Sequence, residues 1–222
     1  MDNCIYYKKN RVHALMEMYL GYVSPDVLTA FRAGNLRLVN GPISFLLSNK
    51  LNLALLSDPG NARVFTPEEK NIIHKYVPWT RKIIPGSTTY RDEKIASLEG
   101  FMLSNKEKLV IKPSMGLGGQ GICIGTKSSP PEWEQAVKTA IKEKNWLVQE
   151  WVESSPGIYQ AGENGCERCD MVWGFFVFGS RYSGAWVRVM PQANSKGVVN
   201  CHQGATVSII FEVDDQPVNT EQ

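Results

Sequence analysis

Apolar and polar positions along this chain follow a helical period in some stretches and a period of two in others. Ser24-Pro25-Asp26 supplies an N-cap, a proline at the first helical position and an acidic first turn, which predicts a helix stopped by Gly34. Residues 36–39 read as a strand. Asn40-Gly41-Pro42 then turns the chain into SFLLSNKLNLALLSD, predicted as one leucine-rich helix ending near Asp58-Pro59-Gly60. Thr66-Pro67-Glu68-Glu69 opens a helix that closes near Tyr76, before Pro78, and another is expected over 91–103. Pro130-Pro131-Glu132 opens a helix to about Glu143, with Trp133, Val137 and Ile141 on one face. Ahead of all these, residues 3–7 and 12–19 flank a KKN turn and read as a hairpin, with a helix over 12–20 as the alternative.

The strand signals are concentrated further along. Residues 109–112 form a short apolar run ending in Lys112, and Pro113 stops its ladder. Gly116, Gly118, Gly119 and Gly121 come next, with a second apolar strand over 122–125. Residues 146–152 read as a strand carrying Gln149 and Glu150, and 153–169 as a polar loop. From Asp170 the stretch MVWGFFVFGSRYSGAWVRVMP predicts a hairpin turning at Gly179-Ser180-Arg181. Short strands are expected near 197–200 and 205–213, and the final DDQPVNTEQ reads as a disordered tail.

A lysine-bearing strand, a glycine-rich loop and a second strand make a hairpin suited to covering phosphates. Loop amides can cap phosphate oxygens while the ammonium neutralises their charge. The loop is not G-x-x-x-x-G-K-[ST], because Lys112 precedes the glycines, and it is not the dinucleotide fingerprint, because a strand rather than a helix comes after it. A glycine-rich turn with a surface lysine is the bland alternative.

Composition narrows the classes without choosing among them. With 222 residues, 43% hydrophobic and 21% charged, the chain has the makeup of a globular protein with length enough for a core. A net charge of +2 without a Lys/Arg cluster gives no nucleic-acid footprint. No apolar run approaches the roughly 18 residues of a membrane helix, and MDNCIYYKKN lacks the apolar core of a signal peptide. Five cysteines form no disulfide framework, so a reducing cytoplasm is the expected setting. Cys166, Cys169, Cys201 and His202 could supply four zinc ligands, incidental thiols and a loop or strand-end histidine being the alternative.

Four separated stretches resemble the ATP-grasp superfamily in its own order, from Asn40 to Val213. NGPISFLLSNKLNLALL is similar to the family's "NK" helix, which implies a phosphate contact for Lys50. VPWTR resembles the segment leading into the lid. LVIKPSMGLGGQGICIG resembles the lid hairpin, which implies that Lys112 binds the α and β phosphates and that Gly116, Gly118, Gly119, Gln120 and Gly121 cover them. WLVQEWVE looks like the hinge, where the backbone of Glu150, Trp151 and Val152 would meet adenine, supported by Gln149 or Glu150, with Glu153 toward the ribose. DMVWGFFVFGSRYSGAWVRV and GVVNCHQGA resemble the large-subdomain hairpin, implying that Arg188 stabilises the transferring phosphoryl group with Asn200 near it. The branch most resembled is the circularly permuted one that includes glutathionylspermidine synthase.

The resemblance implies an α+β fold in which two subdomains with antiparallel sheets enclose ATP. The segments would be 1–60 with the "NK" helix, 61–147 with the lid and 148–222 with the large-subdomain strands. The implied activity joins a small-molecule or peptide carboxylate to an amine through an acylphosphate, using ATP and Mg2+ in the cytoplasm, with neither nucleic acid nor membrane as partner. The acidic Glu-x-Asn strand of the family is not found. Glu212 and Asp214 are the nearest metal candidates, and they stand close to the end of the chain. This departure keeps a second reading open, that of a partial or non-catalytic module, and leaves a homodimer or a missing N-terminal region as further expectations.

Overall fold

Side chains that cap helix N-termini set most of the helix starts in the computed structural model, which describes residues 3–17, 23–41, 43–91, 93–154, 156–160 and 165–212. By its internal contacts the chain divides into Met1–Asn52 and Leu53–Gln222.

In the first unit, β1 (Ile5–Tyr7) and β2 (Asn10–Val12) form an antiparallel hairpin across Lys8 and Lys9. β3 (Ala14–Met16) pairs in parallel with β4 (Arg37–Val39). Between them runs α1 (Pro25–Arg32), capped by Ser24, whose Oγ accepts from the Val27 N–H at 3.3 Å. The expected hairpin partner over 12–19 is therefore replaced by a short parallel strand, and residues 18–22 lie outside the described residues. The helix expected through SFLLSNKLNLALLSD is broken into α2 (Ser44–Leu47) and α3 (Leu51–Ser57). Asparagines cause the break: Asn49 Oδ1 accepts from the Leu51 N–H at 2.9 Å, and Asn52 Nδ2 donates to the Leu46 carbonyl at 2.9 Å. Such side chains compete with the helical ladder for backbone groups.

The second unit continues through α4 (Pro67–Tyr76), which carries a complete capping box between Thr66 and Glu69. β5 (Thr80–Lys82) comes next, then a small hairpin of β6 (Thr88–Tyr90) and β7 (Glu93–Ile95), then α5 (Leu98–Ser104). The helix expected over 91–103 is thus shortened to its second half. Arg91 has a φ of +53° at the hairpin turn, and Ser97 Oγ caps the helix start by accepting from the Gly100 N–H at 3.1 Å. β8 (Leu109–Pro113), β9 (Cys123–Ile124), α6 (Pro130–Glu143) and β10 (Trp146–Glu150) complete a four-stranded antiparallel sheet ordered β5-β10-β8-β9.

One face of that sheet is sealed by helices. Leu109, Ile111 and Val148 pack with Leu98 and Met102 of α5 and with Trp133, Val137 and Ala140 of α6. The three α6 positions recur at intervals of four and three residues, the spacing of a buried helical stripe. The Trp133 indole N–H is satisfied by the Met102 carbonyl at 2.9 Å, so a large aromatic enters the core with its polar atom paired.

A second four-stranded antiparallel sheet has the order β11-β12-β13-β14, with β11 (Gly157–Gln160), β12 (Cys166–Phe178), β13 (Arg181–Pro191) and β14 (Thr206–Ser208). β12 and β13 meet at Gly179 and Ser180, both with positive φ, as a tight two-residue hairpin turn requires. Two expectations are corrected here. The loop over 153–169 contains β11 and the start of β12, whose polar residues conceal the pairing. The strand expected over 197–200 is absent, because Asn200 instead caps a 3-10 turn by accepting from the His202 N–H at 3.0 Å. The chain is therefore a mixed α+β protein with small, mostly antiparallel sheets. Among the described residues, no helix is long and apolar enough to cross a membrane.

Candidate functional site

Register decides which way the key polar side chains point. Lys112 stands opposite Leu147, Val110 opposite Gln149, and Gln149 opposite Thr80, so these residues project from the face turned away from α5 and α6. Lys112 Nζ donates to Gln149 Oε1 at 2.6 Å, and Gln149 Nε2 donates to Thr80 Oγ1 at 2.9 Å. The Thr80 hydroxyl in turn donates to the Pro78 carbonyl at 2.8 Å. Gln149 and Thr80 are buried, whereas Lys112 is half-buried. A buried amide with a fixed acceptor orients the ammonium where it stands.

The segment VPWTR, which runs into β5, supports this arrangement from the other side. Arg81 is buried and donates from all three guanidinium nitrogens, including 2.9 Å to the Ser57 carbonyl and 3.0 Å to Thr89 Oγ1. Burial lowers its pKa, and Asp58 partly offsets that effect. Arg81 therefore ties the end of α3 to β5 and β6. Thr80, Arg81 and Ser57 are not among the site residues that the sequence points to; the VPWTR segment is the only signal for the first two, and Ser57 has none.

The glycine loop lies over the segment that comes after β13. A Cβ on Gly119, where φ is +80°, would fall 2.5 Å from Val198 Cγ1, and one on Gly118 would fall 3.0 Å from His202 Cδ2. Gly116, Gly118, Gly119 and Gly121 all have positive φ, and Gln120 is exposed between them. The segment after β13 also meets β9, since a Cβ on Gly197 would fall 2.7 Å from Ile124 Cδ1. Val198 and His202 are thereby brought against the loop. The approach of His202 to Gly118 has no sequence signal.

Arg188 projects from the face of the second sheet that carries Val172, Met190, Val199 and Ala205, its Cα partners being Val172 and Val207. Its guanidinium lies 5.1 Å from the Trp186 ring centroid. Among the described residues its Nε is buried and without a hydrogen-bond partner. A buried donor left unpaired costs about 1–3 kcal/mol, so this atom is poised for an acceptor. Asp170, opposite Met190 on the same face, accepts from Gln192 Nε2 at 3.0 Å.

At the hinge, the Glu150 and Trp151 amides donate to the Trp79 and Lys108 carbonyls, each at 2.8 Å. The Glu150 carboxylate accepts from Tyr90 Oη at 2.8 Å and pairs with Arg91 at 3.0 Å. Burial first, and then the Glu150 hydrogen bond, raise the Tyr90 hydroxyl pKa. Glu150, Trp151 and Glu153 line a cleft of about 430 Å³, and Glu150 and Val152 border a second of about 810 Å³ reaching Trp79 and α4. Neither cleft is lined by Lys112, Arg188 or the glycine loop.

The remaining candidates are scattered. Lys50 belongs to the first unit, at the turn between α2 and α3, where burial lowers its pKa. Glu212 accepts a short hydrogen bond from Tyr182 Oη near the tip of the β12–β13 hairpin. Tyr182 is six strand residues from Arg188, or about 20 Å at a rise of ~3.3 Å per residue. Asp214 lies outside the described residues. Cys166 and Cys169 stand three apart in β12 and so point to opposite faces, and burial, with Glu167 and Asp170 nearby, raises the Cys169 thiol pKa. The four-ligand zinc set does not assemble: among the described residues no three His, Cys, Asp or Glu side chains come together to hold a metal.

No known family model matches the chain, and no curated protein is significantly similar to it in sequence.

Proposed function

We propose that the chain has an ATP-grasp fold with an ATP site between its two four-stranded sheets, and that it acts as an ATP-dependent carboxylate–amine ligase. The observation that carries the reading is Lys112, held by Gln149 at 2.6 Å on the strand that leads directly into a glycine loop lying over residues 198–202. Lys112 would neutralise the inner phosphates while loop amides around Gly116 and Gly118 cap their oxygens. The unpaired Arg188 Nε fits the same group from the opposite sheet, as a donor to the oxygens that gain charge during transfer. At the hinge, the Val152 N–H makes no backbone hydrogen bond among the described residues, which suits an adenine edge. ATP would supply the phosphoryl group that turns a carboxylate into an acylphosphate open to attack by an amine.

The reading is tested by calorimetric titration of ATP, with and without magnesium, into the protein and into Lys112→Ala. Binding that weakens about tenfold or more in the variant is expected, from the ~1.5–3 kcal/mol of a charge-assisted contact. Absence of ATP binding in both conditions overturns it.

A second reading, a nucleotide-binding module without complete catalysis, is favoured by the position of Glu212. Its carboxylate is engaged by Tyr182 at the far end of β13 from Arg188, and no set of acidic side chains fit for Mg2+ gathers among the described residues. ATP binding without release of phosphate, across a panel of carboxylates and amines, would select this module.

A further inference from the structure

The outer half of the β12–β13 hairpin is dressed like a protein core. Trp173, Phe175 and Val177 are 52%, 65% and 63% exposed, and Phe176, Phe178 and Tyr182 are 47%, 53% and 54% exposed. β11 covers the outer edge of β12 only from Cys166 to Cys169. From Asp170 onward no described strand pairs with that edge, on which the Met171 N–H donates to Ser154 Oγ at 3.2 Å. The segment MVWGFFVF on it contains neither charge nor proline, so none of the usual devices that block strand addition is present apart from one bulge, marked by the register shift between Phe175 and Val177.

We propose that this open edge of β12 pairs antiparallel with the same edge of a second copy of the chain, giving a twofold dimer. Self-pairing of one edge is isologous and closes after two copies, whereas a different partner strand would need its own complementary edge. Antiparallel copies set Trp173 and Phe175 across from the same aromatics of the other chain, the kind of cross-strand pair that stabilises sheets. Charge agrees with this direction. Asp170 stands at the inner end of the open edge and Arg181, the Cα partner of Phe178, at the hairpin tip, so the tip of each copy brings its Arg181 toward Asp170 of the other from the neighbouring strand.

At roughly 150–250 Å² for a large aromatic, the exposed parts of the five side chains on β12 amount to about 500 Å². The unpaired backbone edge adds to this, and about 800 Å² per partner is standard for a stable interface. The bulge raises the local twist, so two hairpins would coil about one another rather than extend into a flat sheet.

Sedimentation equilibrium of the full chain at micromolar concentration tests the proposal. The expected result is a species of twice the chain mass that stops growing there, whose self-association weakens about tenfold or more in Phe175→Lys, because both Phe175–Trp173 cross-strand pairs are lost. Val177→Lys serves as the second variant should Phe175→Lys fail to fold, with near-ultraviolet circular dichroism as the check. Ile72→Lys, at a site on α4 that is 57% exposed, should leave the dimer unchanged. Amide exchange over 170–178 in the wild-type chain should slow as concentration rises. A monomer throughout, an open-ended polymer, a dimer insensitive to the hairpin lysines, one equally sensitive to Ile72→Lys, or exchange independent of concentration would overturn it.

Discussion

Leu109, Ile111 and Val148 in the first four-stranded sheet are at most 1% exposed, whereas Trp173 and Phe175 in the second are 52% and 65% exposed. Both sheets are antiparallel and rich in β-branched and aromatic residues, so strand composition does not explain the contrast. The difference lies in the helices. α5 and α6 bring apolar stripes back over β8 and β10, while the β12–β13 hairpin runs outward beyond the reach of β11 and β14. One sheet can therefore hold a charged side chain in a fixed place, and the other offers a surface.

The sharpest way to break the contrast is to empty the covered side. Trp133→Ala should destabilise the chain by about 3–5 kcal/mol, through a large cavity and an unsatisfied Met102 carbonyl. Phe175→Ala, on the exposed side, should cost less than about 1 kcal/mol when the chain is monomeric. Urea unfolding of both variants at high dilution checks the pair. Equal losses would mean that the hairpin is packed in solution.

A smaller effect is expected at the polar junction on the other face of the first sheet. Gln149→Leu removes the acceptor of Lys112 and the donor to Thr80, and should cost about 1–3 kcal/mol by urea unfolding. If Lys112 binds phosphate as proposed, the same change should also weaken ATP binding, because the ammonium loses its fixed direction. Unchanged affinity alongside lost stability would assign Gln149 to structure alone.

How much is legible in the sequence depends on how local each signal is. Helix starts at Ser24, Thr66 and Pro130 are legible because a cap and its helix lie within four residues. The hairpin turn at Gly179-Ser180 is legible for the same reason. The break at Asn49 is not, since an asparagine side chain chooses between solvent and backbone only when the turn is formed. Lys112 and the glycine loop stand out from residue type and spacing. Their neighbours Thr80 and His202 do not, because register brings the first and the contact of the loop with the segment after β13 brings the second, across many residues.

A milder perturbation tests that long-range contact. Gly119→Ala puts a methyl group 2.5 Å from Val198 Cγ1 at a φ of +80°, so the loop or the Val198 side chain must shift. The strain of one left-handed residue is about 1–2 kcal/mol. Heteronuclear NMR should show shifts at Val198 and His202 with little change at Trp133. Shifts confined to the loop would mean that it does not rest on that segment in solution.

The smallest effect concerns the helix that covers the first sheet. Glu132 accepts from the Ser129 hydroxyl at 2.7 Å and from its N–H at 2.8 Å, one turn before Val137 and next to Trp133. The hydroxyl bond first and the N–H bond second hold this carboxyl below its ordinary range. The folded chain thus binds a proton at Glu132 less readily than the unfolded chain does. The resulting stability is fully present above the unfolded value of about 4.3 and is lost as pH falls through the lower folded value. Glu132→Gln keeps the shape of the cap and removes the charge, which also faces the positive end of the helix. The variant should therefore melt slightly below the wild type at neutral pH, with the gap closing as the pH drops below the glutamate range. A gap that persists in acid would assign the cap's contribution to geometry rather than charge.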